Sequence, residues 1–331
     1  MGLKDAGVTQ IPDPGILSAG PVQLRDRLDF VFEEGRFGLF SKGSQQIEDL
    51  KECYLLSPEL QNFFADFRRI RWPIAKGSFR LRIGPQGERG AWLDFANLDV
   101  RDLIDEQKQL RRLQDLCFVE IGQRRKVLKA NDKKMFLSDP ELREWSRTLY
   151  LGQSVALFSC VGSFSQTGRK ANELIVQRIS EMGKMINPQR ILEYGAGNGN
   201  LSFPIMNEKS EITVVETDEL SLQGLNKAAE ILSLSQRLRI LDLKREKISF
   251  TDFDLILANP PRSGIPEFLQ KLSPEKKRPK HFIYMSCFSQ SFFKDARVMV
   301  QLGYQLQQID ILDQFPQSPH YEIISNWRIN P

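Results

Sequence analysis

The first half of the chain alternates apolar and polar residues with a period of two, which is typical of β-strands. Residues 28–32, 37–40 and 79–83 follow this pattern, and a Gly-Pro-Gln-Gly turn comes directly after the third segment. We expect these segments to form antiparallel hairpins.

Two helices are predicted among these strands. One covers residues 59–68, and the other covers 100–116, where Leu110 and Leu113 share one apolar stripe. The first half is therefore predicted to be α+β. Residues 1–20, which are rich in proline and glycine, are predicted to form an irregular lead-in.

From about residue 170 onwards, short apolar strands alternate with helical segments. The predicted order is helix 172–186, strands 190–194 and 212–216, helix 219–232, and strands 238–241, 253–258 and 281–285. This alternation indicates a Rossmann-like α/β domain with a doubly wound, mostly parallel sheet. We expect two domains, an α+β domain over 1–150 and an α/β domain over 151–331.

Composition narrows the class of protein. The chain has 331 residues, 41% of them hydrophobic, which is enough for about two domains with their own cores. Its four cysteines, at 53, 117, 160 and 287, form no disulfide framework and no C-x-x-C pair. No apolar run approaches the roughly 18 residues of a membrane helix. We expect a soluble, cytoplasmic protein that contacts no membrane.

The charge pattern permits a polyanionic partner. The net charge is +4, and the sequence pI is about 8.8. Basic residues cluster in the first half, at 68–71, at Arg80 and Arg82, at 111–112 and at 124–129. Such clusters are often solvated surface, but together they favour an RNA-contacting role for the first domain.

A glycine-rich turn is the first candidate for chemistry. Gly195, Gly197 and Gly199 follow a predicted strand, so the backbone can approach a ligand beside a helix N-terminus. Glu216 ends the next strand, where its carboxylate is placed to accept hydrogen bonds from ribose hydroxyls. The alternative is an ordinary tight connection between strand and helix.

Two further features favour S-adenosylmethionine over NAD as the cofactor. Glu193 stands just before the first glycines, and Asn259-Pro260-Pro261 ends another strand with a rigid, extended loop. Amino-group methyltransferases acting on adenine use a similar loop, normally followed by an aromatic residue that stacks on the base. Here Arg262 follows, which favours another chemistry.

Cys287 directly follows the predicted strand 281–285, at the edge of the sheet where the Asn-Pro-Pro loop lies. Uracil C5 is a poor nucleophile, and its methylation requires a thiolate to add at C6. A base must then remove the C5 proton, and Glu322 is the candidate. The alternatives are a buried free cysteine and a surface carboxylate.

Five motifs in this order resemble the bacterial uracil-C5 RNA methyltransferases, the family that makes 5-methyluridine in tRNA and 23S rRNA. They are Gly162-Ser163-Phe164-Ser165-Gln166, the glycine turn, residues 259–264, Tyr284-Met285-Ser286-Cys287, and residues 315–322 with His320 and Glu322. The resemblance covers roughly residues 155–331, and the first half matches only loosely.

The resemblance implies a role for each matching residue. Cys287 would be the nucleophile and Glu322 the proton acceptor. The cofactor-side positions would be Gln166, Gly195, Gly197, Asn200, Glu216 and Asn259. The target base would have to be flipped out of its stack to reach the thiol.

The chain departs from the family pattern at three places. Asn259 replaces a usual aspartate, Phe288-Ser289 follows the cysteine in place of Asn-Pro, and Gly195 stands where an aromatic residue is usual. Some family members carry an iron–sulfur cluster and an N-terminal β-barrel. Cys53 stands where the last cluster ligand would be, but the upstream cysteines are absent, so we expect neither feature.

The sequence thus predicts an S-adenosylmethionine-dependent RNA uracil-C5 methyltransferase that acts on tRNA or rRNA. We also expect a monomer without a metal cluster. Two alternatives stay open. One is an amino-group methyltransferase that uses residues 259–261 and does not need Cys287, and the other is a non-catalytic RNA-binding relic of the fold.

Overall fold

The computed structural model describes residues 2–41, 43–44, 46–72, 74–94, 107–122, 125–131, 134–243, 245–246, 248–272, 277–316 and 318–329. The strands are β1 Gly15–Ser18, β2 Arg27–Glu33, β3 Arg36–Phe40, β4 Ile47–Asp49, β5 Lys76–Ile83, β6 Arg89–Asp94, β7 Phe118–Ile121, β8 Lys126–Ala130, β9 Met135–Ser138, β10 Arg143–Tyr150, β11 Gln153–Ser159, β12 Arg190–Tyr194, β13 Glu211–Val215, β14 Leu238–Ile240, β15 Leu255–Ala258, β16 His281–Ser286, β17 Tyr304–Asp313 and β18 Glu322–Ile329. The helices are α1 Pro58–Phe67, α2 Gln107–Leu116, α3 Arg169–Ile186, α4 Ser202–Ile205, α5 Glu219–Ile231, α6 Pro266–Leu272 and α7 Ser289–Gln301, with short 3₁₀ turns at Ser235–Arg237 and Phe250–Asp252.

The chain divides into two compact units, and neither is a single continuous stretch. The C-terminal unit comprises Met1–Gly20, Thr148–Leu157 and Lys170–Pro331, and the N-terminal unit comprises Pro21–Arg147 and Phe158–Arg169. The single boundary expected at 150/151 is therefore wrong in its assignment of residues 1–20, 148–150 and 158–169. The lead-in joins the C-terminal unit because β1 pairs in parallel with β17, from Gly15 beside Asp310 to Ser18 beside Asp313.

The N-terminal unit contains a sheet with the strand order β4-β3-β2-β5-β6-β7-β8-β9. The predicted hairpins are confirmed, since β2 pairs antiparallel with β3 and β5 pairs antiparallel with β6. Helix α1 begins where Ser57 accepts a hydrogen bond from the Leu60 N–H at 3.4 Å. Its buried Phe63, Phe64 and Phe67 pack onto the sheet and fill the core.

The second predicted helix of this unit is confirmed in part. Helix α2 covers Gln107–Leu116, and residues 95–106 lie outside the described residues. Buried Leu110 and Leu113 form the predicted apolar stripe of α2. The first half is thus α+β in the described residues, as the pattern indicated.

The C-terminal unit contains the predicted doubly wound sheet. Its strand order is β1-β17-β18-β16-β15-β12-β13-β14, and the pairs are parallel except where β18 meets its two neighbours. The carboxyl ends of β12, β13, β15 and β16 therefore meet at one edge of the sheet, and antiparallel β18 begins at this same edge. The candidate catalytic residues Cys287 and Glu322 and the glycine turn lie at this edge.

Two further findings bear on the class of protein. Across the described residues, no helix combines the length and apolar character needed to cross a membrane. The same residues contain no group of three or more His, Cys, Asp or Glu side chains that could hold a metal ion.

Candidate active site

The glycine turn lies against the Asn259 loop. Gly195 has a φ of +78°, and its N–H donates a hydrogen bond to the Val215 carbonyl at 2.9 Å. A Cβ at Gly195 would lie only 2.6 Å from the Asn259 carbonyl oxygen. The departure from the family pattern at this position has a local reason, because this backbone leaves no room for a side chain. Tyr194 packs on Phe268 instead, with ring centroids 5.0 Å apart.

Glu216, directly after β13, binds the backbone of the glycine turn and of the two residues that follow Glu216 itself. Its carboxylate accepts hydrogen bonds from the N–H groups of Gly197 at 2.8 Å, Thr217 at 2.6 Å and Asp218 at 2.9 Å. A carboxylate offers about four acceptor positions, so these three bonds leave one for a ligand hydroxyl. The position is consistent with the predicted ribose contact, which stays a prediction.

Asn200 presents a buried acceptor at the end of the turn. Its amide nitrogen donates to Asn172 Oδ1 at 2.7 Å, and its backbone carbonyl accepts from the Thr148 hydroxyl at 2.7 Å. Its own Oδ1 is buried and has no hydrogen-bond partner among the described residues. Asn172 was not predicted from the sequence, because its burial and its contact with Asn200 appear only in the structure.

Glu193 lies beneath the turn, fully buried, and accepts a hydrogen bond from the Ser202 hydroxyl at the start of α4. The pKa of Glu193 is raised to about 8, mainly by burial and further by the charge of Glu216, while the hydrogen bond from Ser202 opposes both effects. Its Oε1 has no partner among the residues described. Open space beside Gly197, an open acceptor position on Glu216 and the unpaired buried oxygens of Asn200 and Glu193 together fit a polar, nucleotide-like cofactor.

Cys287 lies one residue beyond β16, beside the first residue of β18. The antiparallel register pairs Ser286 with Ile323, and its continuation sets Cys287 opposite Glu322. The thiol is half-buried, and the positively charged Arg262 side chain lies near it. Burial raises the pKa of Cys287, the negative charge of Glu322 raises this pKa further, and Arg262 opposes both effects.

Glu322 is 6% exposed, so it is not the surface carboxylate that the sequence left as an alternative. Its Oε1 accepts a hydrogen bond from the amide nitrogen of Gln314 at 2.9 Å. Burial raises the pKa of Glu322 to about 7, while Gln314 and Arg262 act in the opposite direction. A carboxyl group with this pKa can take up a proton near neutral pH.

The loop that carries Arg262 is held at both ends. At its start, the Asn259 N–H donates to the Tyr194 carbonyl at 3.0 Å. At its end, buried Asp295 in α7 accepts from the Ile265 N–H at 2.9 Å and from the Tyr284 hydroxyl at 2.6 Å. Asp295 was not predicted from the sequence, because its partners come from the loop and from β16.

The three remaining motif residues are Gln166, His320 and Gln317. Gln166 belongs to the N-terminal unit, where the neighbouring Ser165 carbonyl accepts a hydrogen bond from Arg27, and its cofactor-side role stays a prediction. His320 is exposed and packs edge-on against Phe315, with centroids 6.5 Å apart. Gln317 lies outside the described residues.

Several arginines of the basic clusters have internal partners. Arg82 is buried and donates to the carbonyls of Cys160 and Trp145. Arg80 donates to the carbonyls of Gly162 and Ser163. The expectation that the Arg80 and Arg82 cluster favours RNA contact is therefore not supported, since both side chains bind backbone carbonyls within the N-terminal unit.

The fold and the site together define an S-adenosylmethionine-dependent methyltransferase. The family model described as "Methyltransferase small domain" matches residues 154–267. The solved tRNA (uracil-54, C5)-methyltransferase of Pyrococcus abyssi, in complex with S-adenosyl-L-homocysteine, has the same fold, with a TM-score of 0.66 and 19% identity over 95% of this chain and 79% of that one.

Sequence comparison identifies the family. An uncharacterized RNA methyltransferase of Bdellovibrio bacteriovorus, Bd2056, is 44% identical over 335 residues, which cover 98% of this chain and 86% of the relative. The 23S rRNA (uracil(1939)-C(5))-methyltransferase RlmD of Shewanella frigidimarina is 24% identical over 97% of this chain and 72% of its own length. The chain belongs to the RNA uracil-C5 methyltransferase family, which confirms the resemblance drawn from its motifs.

Proposed function

We propose that this methyltransferase forms 5-methyluridine in tRNA or rRNA, with Cys287 as the nucleophile and Glu322 as the base. The observation that carries the proposal is the placement of a thiol, a carboxyl group and the Arg262 guanidinium at one edge of the sheet. The rRNA and tRNA uracil-C5 methyltransferases among its relatives support the same target atom.

The reaction begins with the thiolate of Cys287, which forms a bond to uracil C6 and makes C5 nucleophilic. Arg262 favours the thiolate because its positive charge opposes the effects of burial and of Glu322. When bound, S-adenosylmethionine supplies the electrophilic methyl group to C5. The residues of the glycine turn, with Glu216 and Asn200, would hold this cofactor.

Glu322 completes the reaction by removing the C5 proton. The electron pair of the C5–H bond forms the C5–C6 double bond, the C6–sulfur bond breaks, and Cys287 is released as thiolate. A base with a pKa near 7 is ionised in an appreciable fraction of molecules at neutral pH, so it can accept this proton and later lose it to solvent.

The two alternative functions receive less support. An amino-group methyltransferase would use Asn259, Pro260 and Pro261 without a thiol, whereas here Arg262 of that loop lies near the Cys287 thiol and lowers its pKa. A non-catalytic relic would not need a buried carboxyl group beside the thiol, yet Glu322 is buried there with a raised pKa.

For the N-terminal unit we propose an RNA-contacting role that uses its exposed cations. Arg69 has a side chain that is 80% exposed, and Arg71, Arg111 and Arg112 are also exposed. These side chains are available to phosphates, in contrast to buried Arg82.

A covalent trap tests the proposed mechanism. In RNA that contains 5-fluorouridine, C5 carries no removable proton after methylation, so the C6–sulfur bond should persist. With S-adenosylmethionine, the wild type should give a protein–RNA band that resists denaturation and maps to Cys287. Cys53→Ala, which removes another half-buried thiol, should give the same band. A band that survives in Cys287→Ala would overturn the proposal.

A further inference from the structure

Gln314 lies beside the proposed base and was not predicted from the sequence. It directly follows β17, and the β17–β18 register pairs Leu312 with Glu322. This register brings Gln314 next to the carboxyl group of Glu322, where its amide nitrogen donates to Oε1 at 2.9 Å. Gln314 is 2% exposed, so water does not compete for this bond.

The oxygen of the Gln314 amide differs from its nitrogen in its surroundings. Its Oε1 is buried and has no hydrogen-bond partner among the described residues. A buried amide oxygen without a donor is costly, by about 1–3 kcal/mol, and such a group in a native protein calls for an explanation.

The chemistry of Glu322 offers that explanation. In the proposed reaction, Glu322 alternates between a carboxylate, which only accepts hydrogen bonds, and a carboxylic acid, which also donates one. A primary amide is a neutral group that can serve both forms. Its NH₂ donates to the carboxylate, and its oxygen accepts from the acid after a half-turn of the amide.

We propose that Gln314 is a positioning residue that holds Glu322 in both of its protonation states during removal of the C5 proton. This inference rests on the proposed function. The proton passes from C5 to Glu322, and Gln314 exchanges no proton itself. By donating to the carboxylate, Gln314 also favours the ionised base.

The charged and titratable groups that face Glu322 are few. Arg262 approaches from the loop after β15, and the Cys287 thiol lies at the end of β16. Arg262 also favours the carboxylate, so loss of Gln314 would weaken this preference without abolishing it.

The alternative is a structural role, in which Gln314 only fixes the connection between β17 and β18. A structural role predicts a loss of activity that does not depend on pH. A positioning role predicts a displaced pH profile, because without the amide donor Glu322 has a higher pKa and is ionised only at higher pH.

Gln314→Met tests this, because methionine keeps the unbranched length and removes the amide. The readout is single-turnover release of tritium to water from RNA labelled at uridine C5, between pH 5.5 and 9. We expect the acidic limb to move upward by about one pH unit, which is about a tenfold slower release at pH 6 and nearly wild-type release at pH 9. The KM for RNA should stay within about twofold, since Gln314 acts through Glu322.

Two controls keep the test decisive. Gln314→Met should still form the covalent band with 5-fluorouridine RNA, which requires Cys287 but no proton removal. If this variant does not fold, the isosteric Gln314→Glu decides. A second carboxyl group at position 314 should raise the pKa of Glu322. It should therefore move the acidic limb of the pH profile upward at least as far as Gln314→Met does.

The outcomes separate this inference from the proposed function. An unchanged acidic limb, or a loss that is equal at every pH, would overturn the role of Gln314 while leaving Cys287 and Glu322 in place. A wild-type protein that forms no covalent band and releases no tritium would overturn the proposed function itself.

Discussion

Cys287 and Glu322 share an environment that disfavours the charged form of each. Burial raises both pKa values, and the negative charge of Glu322 raises the pKa of Cys287 further. The proposed chemistry needs a thiolate first and a carboxylate later, so a nearby cation is required. Arg262 is that cation, since it lowers the pKa of both groups.

Arg262→Gln should slow formation of the covalent adduct at pH 7. Without the guanidinium the pKa of Cys287 rises, the thiolate fraction falls, and the profile of adduct formation against pH moves to higher pH. Rapid quenching with 5-fluorouridine RNA measures the rate. Arg245→Gln, which removes an exposed cation that pairs with Asp242, is the matched control. Equal rates at pH 7 would contradict the role of Arg262.

Glu322→Gln should let a methylated protein–RNA adduct accumulate on natural RNA. The thiol and the methyl transfer remain, but the base that removes the C5 proton is lost, so the C6–sulfur bond breaks slowly. A denaturing gel with labelled methyl groups should show a shifted band. Glu230→Gln, on the exposed face of α5, should show none. Absence of the band in Glu322→Gln would count against this residue as the base.

At the scale of elements, the glycine turn after β12 and the loop after β15 are packed without a gap. Gly195 meets the Asn259 carbonyl, whereas a Cβ at Gly197 would have no atom within 4 Å. Both glycines have positive φ. A comparison of substitutions at Gly195 and Gly197 therefore separates the cost of backbone strain from the cost of a clash with the loop after β15.

Gly195→Ala should destabilise the protein more than Gly197→Ala. The positive φ costs an alanine about 1–2 kcal/mol at either position, and the contact with Asn259 adds to this cost at Gly195 alone. Urea unfolding of both variants measures the difference in the free energy of unfolding. Equal losses would mean that the loop after β15 moves aside freely.

The elements themselves were largely predictable. Strand β12 was predicted with the bounds Arg190–Tyr194 that the structure has, because its apolar residues are enclosed by clear turn signals. Strand β1 was not predicted, because four residues near two prolines carry no pattern and their partner β17 lies almost 300 residues later.

The candidate site was predictable where a residue carries chemistry by its type. Cys287 and Glu322 followed from what uracil methylation requires. Gln314 and Asp295 could not be predicted, because the role of a buried amide or carboxylate depends on its hydrogen-bond partner. The fold, and the sheet register above all, sets that partner.

At the scale of the whole molecule, the structure refines which cations are available to RNA. Arg68 pairs with Asp49 at 2.8 Å and donates to the Leu50 carbonyl at 2.8 Å, so it holds the N-terminal unit together. Arg69 and Arg71 are exposed. The cluster at 68–71 therefore combines a structural arginine with two whose exposed side chains can meet phosphates.

Replacing Arg69 and Arg71 with alanine should weaken RNA binding and flatten its salt dependence, by about one unit of slope for each phosphate that the protein no longer neutralises. Arg68→Ala is the matched comparison and should lower the free energy of unfolding instead. Fluorescence titration of tRNA between 50 and 300 mM salt measures the slope. A double variant with the wild-type slope would exclude both side chains from the RNA interface.

The central claim is that the Cys287 thiol of this RNA methyltransferase makes 5-methyluridine. The most direct test is transfer of labelled methyl groups from S-adenosylmethionine to undermodified tRNA and rRNA, followed by digestion and identification of the nucleoside. We expect 5-methyluridine from the wild type and from Cys53→Ala, and none from Cys287→Ala. A methylated amino group as the product, or full activity in Cys287→Ala, would contradict the account.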